Sequence, residues 1–144
     1  MMTASRWLRV AAVIMVLFAA GHTMGGQKAW SPAGETPVLQ QMREFRFDAM
    51  GTSRSYFEFY LGFGYSITVL QLMQAVLLWQ VAGLAREDAA RVRPLIATFL
   101  IAAIASTILT WRYIFLIPVI FSIVYTLTVA FAYVAAGRPR ATER

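Results

Sequence analysis

Polar residues interrupt this chain only in short stretches, and four long apolar runs lie between them. The runs cover about residues 7–24, 56–82, 94–111 and 117–136. A hydrocarbon core of about 30 Å needs about 20 residues of helix, so each run is of spanning length. Continuous apolar character, as opposed to strict alternation, selects helices over barrel strands. The second run is the longest and must tilt or project beyond the hydrocarbon. A single charge, Arg112, separates the last two runs, so their connection is tight, and Pro118 falls in the first turn of the fourth span.

Residues 25–55 are the sizeable extramembrane segment. Gly25 and Gly26 read as the exit from the first helix, and Ser31-Pro32-Ala33-Gly34 as a turn. Thr36-Pro37 has the form of an N-cap with a first-turn proline. From there to Met50, Leu39, Met42, Phe45 and Ala49 recur at helical spacing among polar residues, with Gly51 as the stop. This predicts an amphipathic helix over 37–50. It either lies at the membrane interface with its apolar side in lipid or covers a cavity in the bundle. The expected fold is a single all-α domain, a four-helix transmembrane bundle with an interfacial amphipathic helix in the first, outer loop.

Composition sharpens this picture. Hydrophobic residues make up 59% of the 144 and charged residues 14%, against about 25% charged in a soluble domain. Disorder and an ordinary soluble enzyme are excluded. With no cysteine and one histidine, thiolate zinc sites, Fe–S clusters, thiol nucleophiles and a multi-histidine metal centre within one chain are excluded too. The net charge of +6 comes from arginines scattered at span ends. That suits anionic lipid head groups and not nucleic acid.

With the N-terminus inside, Arg6, Arg9, Arg86, Arg91, Arg93, Arg138, Arg140 and Arg144 face the cytoplasm, while Lys28, Arg43, Arg46, Arg54 and Arg112 lie outside. Eight against five favours both termini in the cytoplasm. Trp7 and Trp79 then sit at the inner interface, and Trp30 and Trp111 at the outer one. The first span also has the basic start and short apolar core of a signal peptide. A cut after Ala20 would, however, place Phe18 where a small residue is expected.

Ionisable groups near spans are the candidates for chemistry. His22, Glu58 and Arg112 all fall at the outer ends of their spans, with Tyr60 close by. In the functional reading, His22 and Glu58 handle a proton or bind a polar head group while Arg112 holds an anion. Each residue also has a plainer role. Ser55-Tyr56-Phe57-Glu58 fits a capping box, Arg112 can snorkel to head groups, and His22 can bond at a helix end. Glu58 and Arg112 could also neutralise each other and join spans two and three. Gly64, Thr68, Gln71 and Gln74 in span two, with Thr98, Ser106, Thr107, Thr110, Ser122, Tyr125, Thr126 and Thr128 in the last two spans, suit helix–helix packing. Gly62-Phe63-Gly64 suits close packing as well. No charge lies at mid-membrane depth, which argues against a selectivity filter, a proton relay or a voltage sensor.

Gly21-His22-Thr23 and Arg54-Ser55-Tyr56-Phe57-Glu58-Phe59-Tyr60-Leu61-Gly62-Phe63-Gly64, in a four-span chain of this length, resemble a family of small bacterial integral membrane proteins with no assigned activity. The layout is loosely similar to DoxX-like proteins and to the membrane-associated eicosanoid and glutathione enzymes, by size alone. The resemblance implies the inner membrane and leaves any cofactor unspecified. The expected role is binding a lipophilic small molecule or lipid at the outer-leaflet end through His22, Glu58, Arg112 and Tyr60. The alternatives are an accessory or scaffold subunit and an enzyme acting on a lipid-like substrate. Polar span faces favour a homo-oligomer.

Overall fold

A computed structural model describes residues 2–28, 31 and 33–138. Four long helices form the bundle: α1 (Ala4–Lys28), α3 (Tyr56–Glu87), α4 (Arg93–Tyr113) and α5 (Leu116–Ala136). Each is long and apolar enough to cross a membrane. Between α1 and α3 lie a short helix, α2 (Pro37–Glu44), and a hairpin of β1 (Arg46–Ala49) and β2 (Thr52–Ser55). The expectations for Trp30, Pro32, Arg140 and Arg144 fall outside the described residues.

The helices do not pack in chain order. α1 lies between α3 and α5, and α4 packs on the far side of α5. Neighbours run antiparallel. Ser5 Oγ donates to the Ala82 carbonyl at 2.6 Å, and Thr23 meets Thr68 at the other end of the same pair. Trp7 packs on Phe131 and Phe18 on Phe121, which sets α1 against α5. Thr107 and Thr126 join α4 to α5 at 2.9 Å. Water does not drive helices together in lipid, so close fit and interhelical hydrogen bonds must hold this arrangement. The fit is tightest along α1, where Leu8 and Ala11 are fully buried with Leu78 and Ala82 of α3 and Val129 and Ala132 of α5. α4 buries only Ile96 and Ala103. Most remaining large apolar side chains face outward, as helices in hydrocarbon require.

Most of the local chemistry anticipated in the sequence is present. Thr36 accepts from Leu39 N with Pro37 in the first turn of α2, and Pro118 sits in the first turn of α5. Only Ile114 and Phe115 separate α4 from α5. Three expectations need correcting. α1 does not exit at Gly25-Gly26 but runs to Lys28. α2 stops at Glu44, and residues 46–55 form the antiparallel hairpin with Ala49 opposite Thr52. Its two-residue turn places Met50 (φ 55°) and Gly51 (φ 85°) in the left-handed region, and Asp48 Oδ1 accepts from Gly51 N. Finally, Gly62 and Gly64 do not mediate close packing, because a Cβ at either would meet nothing within 4 Å.

Candidate functional site

The end of the bundle where α1 finishes and α3 begins is built by the hairpin. Ser55 closes β2 and caps α3. Its Oγ accepts from Glu58 N at 3.2 Å, and Glu58 Oε2 accepts from Ser55 N at 2.7 Å. This is the reciprocal capping box, and it satisfies two of the donors left open at a helix start. Glu58 also pairs with Arg46 of β1 at 3.4 Å, while Arg46 donates to Ser53. Glu58 is thereby committed to holding the hairpin against α3. Above it, α2 docks by Leu39, its one buried residue, and Arg43 stacks over Phe57 at 4.8 Å. α2 covers the start of α3 and lines none of the cleft described next.

His22, on the last turns of α1, reaches Gly64 of α3. Its Nε2 lies 3.1 Å from the Gly64 carbonyl oxygen. A carbonyl only accepts, so Nε2 carries the hydrogen, and in the neutral ring Nδ1 keeps a lone pair. The neighbouring hydroxyls sort themselves by the same arithmetic. Thr23 Oγ1 lies 2.8 Å from the Ala19 carbonyl and 2.9 Å from Thr68 Oγ1, while Thr68 is 3.3 Å from the Gly64 carbonyl. Thr23 donates to Ala19, and the two lone pairs of the Gly64 carbonyl can accept from both His22 and Thr68.

These residues line a cleft of about 30 Å³ with Tyr60, Leu61 and Tyr65. A water needs roughly 10–15 Å³ measured this way, so the cleft takes one or two waters or one polar group, not a whole ligand. Family models, curated proteins and solved structures offer no match to this chain. The site therefore has to be read from its own chemistry.

Of the four residues anticipated from the sequence, the structure brings His22 and Tyr60 together. Glu58 stands at the same end but turns to Ser55 and Arg46 and does not line the cleft. Arg112, at the end of α4, stacks over its neighbour Tyr113 at 5.5 Å. It belongs to a helix that packs chiefly on α5, and Glu58 finds its ion partner in Arg46 instead. Sequence reasoning assigned Thr68 and Gly64 to packing. Their share in the cleft shows only once α1 and α3 are set in register.

Proposed function

We propose that this multi-pass membrane protein binds a lipophilic molecule at the α1–α3 end of the bundle, with one polar group of that molecule seated beside His22. The observation that carries the reading is the cleft itself. An imidazole whose Nε2 donates to the Gly64 carbonyl, two threonines and Tyr60 bound a space for one polar group, beside side chains exposed on the lipid-facing surface. Tyr60 and Tyr65 are half-exposed there and offer aromatic surface to the rest of the molecule. The arginine distribution supports placing this end in the outer leaflet, with both termini cytoplasmic. Membership of the small bacterial four-span family is proposed on the Gly21-His22-Thr23 and Arg54–Gly64 motifs. An enzyme using His22 and Glu58 as acid and base is not favoured, because Glu58 is engaged in the capping box and with Arg46. The scaffold reading draws on α4, whose long outward face is free for a partner helix.

Gentle purification, extraction of co-purified small molecules and native mass spectrometry test the binding reading. A stoichiometric lipophilic molecule is expected, lost in His22→Ala and kept in Glu58→Gln. Equal ligand content in wild type and His22→Ala would refute it, and a bare oligomer would favour the scaffold.

A further inference from the structure

The α1–α3 seam opens a second time, nearer the end where α1 begins. Here a groove of about 360 Å³ runs along the outside of the pair. Ala12 and Ala75, both buried, form its floor, and Val13, Val16, Leu72 and Val76 stand exposed as its walls. Small floor residues between larger walls make the depression. Its volume is within the range of small-molecule sites, about 300–1,000 Å³. Nearly all of its surface is apolar, and Trp79 closes one end.

A charge stands at that same end. The Arg9 guanidinium lies over the Trp79 ring, 5.2 Å from its centroid. Arg9 shares a helix side with Val13 and Val16, one and two turns on. Its Nε is buried without a hydrogen-bond partner, and no carboxylate pairs with it among the described residues. An unpaired guanidinium beside an apolar span is retained at a cost unless an anion or water meets it. Arg6 lies on the same side of α1, one turn nearer its start, so the local field is positive.

We infer that this groove is a site for an anionic phospholipid, with an acyl chain lying along Ala12, Val16, Leu72 and Val76 and the phosphate on Arg9. Arginine matches phosphate geometry with paired donors, and stacking on Trp79 holds its plane in place. The charge and the groove together select one occupant. A lipid without phosphate would fill the groove but leave Arg9 unpaired, a zwitterionic one would bring its own cation to the positive end beside Arg6 and Arg9, and a second copy of this apolar seam would offer no anion. The site is separate from the His22 cleft, and neither depends on the other.

Native mass spectrometry of the full chain in detergent tests the inference, with dioleoylphosphatidylglycerol or dioleoylphosphatidylcholine titrated in. One phosphatidylglycerol is expected to bind about tenfold more tightly than phosphatidylcholine, the scale of one charge-assisted contact. Arg9→Gln should abolish that preference. Val76→Trp, an outward-facing change that fills the groove, should weaken both lipids and decides the matter if Arg9→Gln does not fold. The inference is overturned if the two lipids bind alike to the wild type, or if Arg9→Gln keeps the preference. It is equally overturned if Val76→Trp leaves lipid binding unchanged or instead splits a dimer that shows no lipid preference.

Discussion

α3 and α5 meet through one identified side-chain bond. Gln74 Nε2 donates to Tyr125 Oη at 2.9 Å, and Tyr125 is 3% exposed. Tyr125→Phe removes one oxygen, leaves no void worth the name, and strands a Gln74 donor. Gln74→Leu keeps the volume and strands the phenol. Interhelical hydrogen bonds in membranes average about 0.6 kcal/mol and reach about 1.7. Tyr125 is almost wholly shielded, so the replaced partner cannot turn to lipid head groups or water, and each single change should cost about 1 kcal/mol. The double variant removes both polar groups at once, so it should cost no more than either single change. The coupling is then about 1 kcal/mol. The assay is unfolding of bicelle-reconstituted protein by dodecyl sulfate, followed by tryptophan fluorescence. If the double variant loses the sum of the two single changes to within about 0.3 kcal/mol, the bond contributes nothing and the reasoning fails.

Two further predictions concern the hairpin. Ser55→Ala removes the cap that α3 shares with β2 and should cost about 1 kcal/mol, read as faster amide exchange over residues 56–59 with the far end of α3 unchanged. Met50→Asn places a residue tolerant of positive φ at the turn and should stabilise the hairpin by about 1 kcal/mol, seen as slower exchange at Ala49 and Thr52; equal or faster exchange there would contradict the turn assignment.

The spans were legible because length and continuous apolarity suffice to define them. The Thr36-Pro37 start and the Ser55–Glu58 box were legible because caps are local chemistry. The hairpin was not. Leu39, Met42, Phe45 and Ala49 keep helical spacing through its first strand, and four residues of alternation in Arg46–Ala49 are too few to overrule them. Its turn also lacks the Asn or Gly usually found at the first position, since Met50 stands there. The meeting of His22 with Tyr60 followed from antiparallel neighbours joined by one loop. The isolation of Arg112 did not, because nothing near Arg112 in sequence says that α1 will stand between α3 and α5. The partnership of Arg46 with Glu58 was hidden for the same reason as the hairpin that creates it.

The central place of α1 bears on how the protein is made. The first of the four helices to leave the ribosome is the one that both α3 and α5 later need as a wall. Until α3 arrives, the side of α1 that carries Ser5, His22 and Thr23 has no protein partner, and until α5 arrives, neither does the side carrying Trp7 and Phe18. Assembly is thus a wait followed by two dockings onto a single early template. A protease that cut α1 away after insertion would leave α3 tethered to the α4–α5 pair by residues 88–92 of the chain, with the Gln74–Tyr125 bond as the identified side-chain link between them.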